Sequence, residues 1–136
     1  MGRNSVKKII GYFPGTWDLF HTGHVLALEE ARQYCDFLII GLVENPQVGN
    51  SKKNVPVMTL EERYRILRGN KFADAILVYG TEYESKFIDN WLPYDIRFMG
   101  EDHKGKKHPH IKSKIIYISR KHNYSSTELR NRLKNV

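Results

Sequence analysis

The stretch from Gly11 to His24, which reads GYFPGTWDLFHTGH, decides the fold. The run from Lys7 to Phe13 is rich in β-branched and aromatic residues and predicts a strand, which Pro14-Gly15 is expected to end. From Val25 onward apolar residues recur at helical spacing, which predicts a helix over about 23–34. The stretch is therefore a strand, a tight turn and the start of a helix, and its two histidines lie where that helix begins.

The two histidines, His21 and His24, are separated by Thr22 and Gly23. A helix N-terminus has free main-chain N–H groups and the positive end of the helix dipole, both of which favour an anion such as phosphate. Gly23 has no Cβ, so a ligand can approach the backbone closely there. The turn is a candidate phosphate site, and the alternative is two incidental histidines in a loop.

Length and composition predict one globular domain over residues 1–136. Apolar residues make up 40% of the chain, near the globular norm. A single cysteine, Cys35, excludes an internal disulfide and is expected to be a small buried hydrophobe. No apolar run approaches the roughly 20 residues of a membrane span, and the N-terminal MGRNSVKK has no secretory apolar segment. A cytoplasmic protein is therefore expected.

The net charge of +7 is concentrated in the last quarter of the chain. Residues 1–102 hold 12 Lys and Arg against 14 Asp and Glu, whereas residues 103–136 hold 10 against Glu128 alone. Such a basic segment favours an anionic ligand, whether nucleic acid, a membrane surface or phosphates. An ordinary solvated surface is the alternative, and charge does not choose among these.

Strand-like and helix-like segments alternate along the rest of the chain. Further strands are predicted over 37–43, 75–79, 95–99 and 114–119, and T-x-x-E and S-x-x-E patterns at 59–62 and 125–128 predict capped helix starts. This alternation predicts an α/β fold: a doubly wound, five-stranded parallel sheet with right-handed crossovers. Ligands of such sheets bind beyond the carboxyl ends of the strands. The histidine turn, Ser51–Lys53, Glu101-Asp102 and Arg120–Ser126 all follow strands, which predicts one shared site.

Gly15-Thr16-Trp17-Asp18 followed by His21-Thr22-Gly23-His24 resembles the signature of the HxGH nucleotidyltransferases. The resemblance implies a Rossmann-like fold and transfer of a nucleotidyl group from a nucleoside triphosphate to a phosphate monoester. It places both histidines on the triphosphate as catalytic residues. It also implies that four residues bind the nucleotide: Gly15, Thr16, Asp18 and Gly23. Among them Asp18 would support the turn or the histidines.

The same resemblance assigns roles to basic residues elsewhere. Lys53 is expected to contact the triphosphate as a catalytic residue, with Lys52 and Arg63 near the phosphate of the acceptor. The alternatives are ordinary loop lysines and a helix-surface arginine. Magnesium is expected with the triphosphate, since the nucleotide is bound as its Mg²⁺ complex and the metal neutralises the leaving group. No metal site made of protein ligands is expected.

A late motif narrows the resemblance to the small cytidylyltransferases, a group that includes glycerol-3-phosphate cytidylyltransferase. Their motif is close to R-T-x-G-I-S-T-T, and the sequence here reads RKHNYSST over 120–127. Asn123 and Tyr124 depart from it, although Asn tolerates the left-handed backbone that Gly adopts. The resemblance implies CTP and a small alcohol phosphate as substrates. It makes Arg120 catalytic and assigns nucleotide binding to Ser125, Ser126, Thr127 and, at the cytosine end, Asp102.

Three other interpretations are open. The early motifs also resemble phosphopantetheine adenylyltransferase, which uses ATP, but that enzyme typically lacks the first histidine, so CTP is favoured. The basic C-terminal segment could bind single-stranded nucleic acid, which is less expected because no RNA-binding signature is present. His103, His108 and His110 have no zinc-site spacing and are read as a solvated loop.

Two further expectations concern assembly and His122. A homodimer is predicted from the resemblance and from Trp17 and Phe20, large apolar residues in a turn that could otherwise be exposed. The alternative is that these aromatics line the site or the core. His122 lies outside the HTGH turn, and its removal is expected to have little effect on catalysis.

Overall fold

The structure, a computed structural model, describes residues 7–136, so the residues 1–6 of the N-terminal segment discussed above lie outside it. Strands and helices alternate along the chain. The strands are β1 (Ile10–Gly15), β2 (Phe37–Asn45), β3 (Ala75–Thr81), β4 (Ile96–Gly100) and β5 (Lys114–Ile118). The helices are α1 (Thr22–Arg32), α2 (Leu60–Arg68), α3 (Glu82–Trp91) and α4 (Ser126–Lys134), with a 3₁₀ turn over Glu101–His103. None of these helices is long and apolar enough to cross a membrane.

All five strands run parallel in one sheet with the order β3-β2-β1-β4-β5. The predicted doubly wound, Rossmann-like α/β fold is confirmed. Strand order reverses between β1 and β4, the two strands that flank the switch point where such sheets bind ligands. The histidine turn follows β1 and the 3₁₀ turn follows β4, so both lie at this point.

The two faces of the sheet bury separate apolar clusters. Because side chains alternate along a strand, β1 directs Phe13 to one cluster and Tyr12 to the other. The first cluster packs α1 and α2 on the sheet through residues such as Leu28 and Leu67, both 0% exposed. Burying a leucine contributes about 1.5–3 kcal/mol, so these contacts hold the helices in place. Cys35 is buried as expected.

The first strand is longer than the sequence predicted. Pro14 and Gly15 continue β1 instead of ending it, in register with Gly41 and Leu42 of β2. On its other side β1 pairs with β4 only as far as Tyr12. Beyond that point the strands within residues 7–136 leave one edge of β1 unpaired, and proline is tolerated on such an edge.

The two predicted capping boxes differ in outcome. At α2 the box is complete: Thr59 Oγ1 accepts from the Glu62 N–H, and Glu62 Oε1 accepts from the Thr59 N–H. At α4 only half of it forms, since Ser125 Oγ accepts from the Glu128 N–H at 3.0 Å. The Glu128 carboxylate instead accepts from Arg132 Nε, one turn further along.

Candidate active site

His21 is the N-cap of α1 and forms a reciprocal capping box with His24. His21 Nδ1 accepts from the Gly23 N–H at 3.0 Å, and His24 Nδ1 accepts from the His21 N–H at 3.2 Å. A neutral imidazole carries its proton on the nitrogen that is not accepting, so this hydrogen bonding assigns the proton to Nε2 in both rings. The main chain thus occupies Nδ1 and leaves two Nε2–H donors for a ligand.

Packing and charge keep both rings neutral. Burial, and to a smaller extent the neighbouring His21 and Arg120, lower the pKa of His24 to about 3. Burial, His122 and Arg120 also lower the pKa of His21. The two rings stack with centroids 3.8 Å apart, and Phe20 stacks against His24 at 5.2 Å. Two neutral donors held side by side suit an anion whose charge increases during a reaction.

The turn that precedes the histidines is held in an unusual conformation. Trp17 and Leu19 have φ values of 55° and 50°, in the left-handed region that bulky residues rarely adopt. Asp18, between them, accepts from the Val57 and Met58 N–H groups at 2.8 and 2.9 Å. Asp18 was expected to support either the turn or the histidines. These hydrogen bonds show that it supports the turn, by holding it to the segment before α2.

Trp17 belongs to the core and is 5% exposed. Its Nε1–H donates to the carbonyl of Gly41 at 3.0 Å, and its ring packs edge-on to Phe13. A Cβ on Gly15 would lie 3.1 Å from this ring, so glycine lets the indole fold back over the end of β1. Of the three places left open for Trp17, a dimer surface, the site or the core, the structure shows the core, so this residue gives the homodimer no support.

Arg63 is buried, so the alternative of an ordinary helix-surface arginine is wrong. It is 2% exposed and donates to four main-chain carbonyls. The acceptors are the carbonyl oxygens of Thr16, Val43, Glu44 and Met58. The guanidinium joins the histidine turn to the end of β2 and the start of α2. This geometry makes Arg63 a positioning residue for the turn, and its contact with an acceptor phosphate stays a prediction without support from the contacts.

The ends of β4 and β5 bring Asp102 and Arg120 together. Arg120 Nε lies 3.3 Å from Asp102 Oδ1, and the Arg120 N–H donates to Glu101 Oε1 at 2.7 Å. The Arg120 charge also lowers the pKa of both motif histidines, so the guanidinium lies within electrostatic range of them. The side chain of Arg120 is 62% exposed, so it can turn towards a ligand. Asp102 is thus an ion-pair partner of Arg120; its expected contact with cytosine stays a prediction.

His122, which lies outside the HTGH turn in sequence, packs against it in the structure. A Cβ on Gly23 would lie 2.8 Å from His122 Cε1 and 2.9 Å from the carbonyl oxygen of Tyr124. Gly23 is therefore required because the segment after β5 lies directly on the start of α1. This position agrees with the predicted convergence of the Arg120–Ser126 segment on the turn, and the small effect expected on removing His122 stays a prediction.

The start of α4 completes this side of the site. Ser125 caps the helix, and Ser126 Oγ donates to the carbonyl of Asp18 at 3.4 Å. Thr127 lies exposed in the first turn. A cleft of about 70 Å³ separates the N-termini of α1 and α4, lined by His21, Thr22, Tyr124, Ser125, Glu128, Leu129 and Arg132. Two helix N-termini therefore open on one cleft, where they favour anionic groups.

The two lysines of the loop after β2 are exposed in a turn, where the Lys53 N–H donates to the carbonyl of Asn50. The Lys53 charge opposes the burial that raises the pKa of Glu82, and it helps to lower the pKa of His103. Lys53 thus lies near the start of α3 and the 3₁₀ turn. The structure brings Arg120, Asp102, Ser126 and the two motif histidines together, whereas Lys53 lies near Glu82 and His103 and Lys52 is exposed in the same turn.

Residues 7–136 contain no group of three or more His, Cys, Asp or Glu that could hold a metal ion. The carboxylates near the histidines are engaged, Asp18 by N–H groups and Asp102 by Arg120. His103 and His108 have ring centroids 6.4 Å apart, and His110 instead approaches the buried Asp89 at 3.3 Å. The residues of this site therefore do not fit a metal that the protein itself would hold.

The parallel sheet with paired histidines at its switch point has the Rossmann-like nucleotidyltransferase architecture. A lipopolysaccharide core biosynthesis protein from Thermoplasma volcanium has the same fold, with a TM-score of 0.67 at 20% identity; the match covers 83% of this chain and 98% of that one. The chain belongs to the cytidylyltransferase-like family, whose model matches residues 12–132.

Two curated relatives are similar over nearly the whole chain. Glycerol-3-phosphate cytidylyltransferase of Bacillus subtilis is 29% identical, over 92% of this chain and 95% of that protein. Ethanolamine-phosphate cytidylyltransferase of Dictyostelium discoideum is 35% identical, over 93% of this chain but only 37% of that protein. The chain spans as little as 19% of the length of other relatives that it matches.

Proposed function

We propose that the protein is a cytidylyltransferase that transfers CMP from CTP to a small alcohol phosphate, such as glycerol 3-phosphate, and releases pyrophosphate. The observation that carries this proposal is the reciprocal histidine box, which fixes both Nδ1 atoms on the main chain and leaves two Nε2–H donors at the start of α1. Membership of the cytidylyltransferase-like family and the two curated relatives support the choice of substrates.

The reaction asks the protein mainly for positioning and charge stabilisation. An oxygen of the acceptor phosphate attacks the α-phosphorus, the bond from that phosphorus to the bridging oxygen breaks, and pyrophosphate leaves. The attacking oxygen is already anionic at neutral pH, so no general base is needed. His21 and His24 donate from Nε2 to oxygens on the reacting phosphates, where negative charge increases in the transition state.

Cationic groups complete the mechanism. Arg120 lies within electrostatic range of the histidines, and its side chain is exposed enough to neutralise the triphosphate. Lys53 lies near Glu82 and His103, and movement of its loop towards the histidines would add a second cation, with Lys52 at the acceptor. The N-termini of α1 and α4 supply main-chain N–H groups to the anionic substrate.

The triphosphate is proposed to arrive as Mg·CTP, with the metal as part of the substrate, since nucleoside triphosphates are bound as their Mg²⁺ complexes and the metal neutralises the leaving group. We further propose that the enzyme works in the cytoplasm, consistent with its one buried, unpaired cysteine, and that it is a homodimer.

A screen of pyrophosphate release tests the proposed function. CTP, ATP, GTP and UTP are each paired with glycerol 3-phosphate, phosphoethanolamine and phosphocholine, and CTP with one of these acceptors is expected to give turnover. Faster release with ATP would reject the cytosine assignment and favour an adenylyltransferase. No release with any pair, together with strong binding of single-stranded RNA, would favour the nucleic-acid interpretation.

A further inference from the structure

The sulfur of Met58 holds the turn that precedes the histidines. The Leu19 N–H donates to Met58 Sδ at 3.2 Å, an unusual contact because a thioether sulfur is a weak acceptor. Leu19 has a left-handed φ of 50°, which a leucine keeps only where its surroundings hold it. Leu19 lies just before Phe20 and His21, so this contact acts on the backbone that leads into the histidine box.

The main chain of Met58 is fixed on both sides of this contact. Its N–H donates to Asp18 Oδ1 at 2.9 Å, and its carbonyl oxygen accepts from Arg63 Nε at 3.2 Å. The backbone that carries the sulfur therefore cannot retreat from Leu19 without breaking these hydrogen bonds. Only the side-chain torsions of Met58 are left to respond to a chemical change at the sulfur.

Met58 also differs from the other methionines in its access to solvent. The chain has three methionines, of which Met99 is 7% exposed in the core and Met1 lies outside the described residues. Met58 is partly exposed, in a segment whose neighbours Val57 and Thr59 are exposed. Oxidation converts such an apolar side chain into a polar sulfoxide, and accessible sulfurs react first.

We propose that Met58 is a modification site, at which a hydroperoxide oxidises the thioether and so releases the histidine turn. The O–O bond of the peroxide breaks, one oxygen atom forms a bond to Sδ, and the other leaves as water. The sulfur gives up an electron pair, which the peroxide accepts. A sulfoxide reductase supplied with a dithiol reverses the step. The inference rests on the proposed function only where turnover is the readout.

The added oxygen is incompatible with the present position of the turn. If the oxygen accepts from the Leu19 N–H, a hydrogen bond of ordinary length moves that nitrogen and the sulfur apart by about 1 Å. If the polar sulfoxide instead turns out to solvent, the Leu19 N–H loses its acceptor and the left-handed backbone loses its support. Both responses displace the residues that lead to His21, and a misplacement of about 1 Å can cost about 10²-fold in rate.

Peroxide treatment, followed by mass spectrometry and the pyrophosphate assay, tests this inference. Met58 is expected to gain an oxygen atom well before Met99, and kcat should fall by about 10²-fold in step with the Met58 sulfoxide. The KM for CTP should change less, because the histidine donors act mainly in the transition state. Treatment with a sulfoxide reductase and dithiothreitol should restore turnover, which distinguishes a displaced turn from an unfolded protein.

Met58→Leu is the matched control, since it keeps an apolar side chain of similar volume and removes the sulfur that is oxidised. Its turnover, measured against its own untreated sample, should not fall in peroxide. Cys35 and Met99 are still present in this variant, so their oxidation is included in the comparison. Circular dichroism checks that the variant is folded.

Three results would overturn the inference: complete oxidation of Met58 with turnover retained, an equal loss of turnover in Met58→Leu, or oxidation of Met99 ahead of Met58. Amide hydrogen exchange at Leu19 and Phe20 is followed in the same samples and needs no substrate. Faster exchange on oxidation of Met58, in a protein that turns over no triphosphate, keeps this inference and rejects the proposed function. Turnover and exchange that are both unchanged by Met58 oxidation do the opposite.

Discussion

The two nitrogens of His24 have separate tasks, and replacing them one at a time tests the proposed mechanism. Nδ1 accepts from the His21 N–H at 3.2 Å and supports the start of α1, while Nε2–H is left for the phosphates. In His24→Asn the side-chain oxygen ends where Nδ1 was, so the cap acceptor is kept and the Nε2 donor is lost. In His24→Gln the amide nitrogen ends near Nε2, so a donor is kept and the cap acceptor is lost.

The expected magnitudes follow from these contacts. Loss of one donor aimed at charge that develops in the transition state costs about 10²–10³ in kcat, or roughly 3–4 kcal/mol. His24→Asn should therefore lose that factor with the free energy of unfolding little changed and CTP affinity changed less than kcat. His24→Gln should lose about 1 kcal/mol of stability, the usual value of a helix cap, and retain more turnover than His24→Asn.

Pyrophosphate release at saturating CTP and glycerol 3-phosphate gives kcat, and urea unfolding gives stability. His108→Asn is the matched control, since it makes the same change in the loop after the 3₁₀ turn and should leave turnover intact. His122 is unsuitable as that control because its ring lies against Gly23. Near-normal turnover in His24→Asn, or a larger loss of kcat in His24→Gln, would refute the assignment of Nε2 as the catalytic donor.

Three further predictions concern stability. Arg63→Met should lower the free energy of unfolding in urea by about 3 kcal/mol or more, because it leaves buried carbonyls unpaired. Arg65→Met, exposed on the same helix, is the control and should lower it by under about 0.5 kcal/mol. A raised KM for the acceptor with unchanged stability would instead support the acceptor role of Arg63. The pKa of His24 is lowered from 6.5 in the unfolded chain to about 3 in the folded protein, so its contribution to stability is full above about pH 6.5 and is lost as the pH falls towards 3. His24→Asn should therefore make the free energy of unfolding depend less on pH between 6.5 and 3. An unchanged slope would contradict the burial of a neutral ring. Arg97→Met should destabilise by about 3–5 kcal/mol in the same urea assay, because Asp89 would stay buried without its ion-pair partner at 3.0 Å; a loss below 1 kcal/mol would show that the pair is dispensable.

Local sequence patterns were sufficient for the order of elements and for the place of the site. The alternation of apolar runs and helical spacings follows directly from side-chain periodicity, and the turn of His21 and His24 follows from a strand meeting a helix start. Even so, Pro14 was read as the end of β1, because a local rule cannot show that one edge of the strand lacks a partner beyond Tyr12. The sequence therefore located the site without fixing the exact ends of its strands.

The roles of individual side chains depended on contacts between distant parts of the chain. Arg63 looks like a surface arginine in sequence, yet it is buried because the ends of β1 and β2 direct carbonyl oxygens at the first turn of α2. His122 is 98 positions from His24 along the chain, yet β5 lies beside β4 in the sheet and carries it onto Gly23. Strand order sets such distances, and no local pattern encodes strand order.

The sequence by itself determined that a phosphate-type helix start follows the first strand of a parallel sheet, since periodicity, turn residues and the histidine spacing are local properties. Only the tertiary structure decided how the histidines are used: each Nδ1 is taken by a main-chain N–H, and burial keeps both rings neutral. Tautomer and pKa depend on hydrogen-bond partners and solvent access, which exist only once β1, β4 and β5 have brought their loops together.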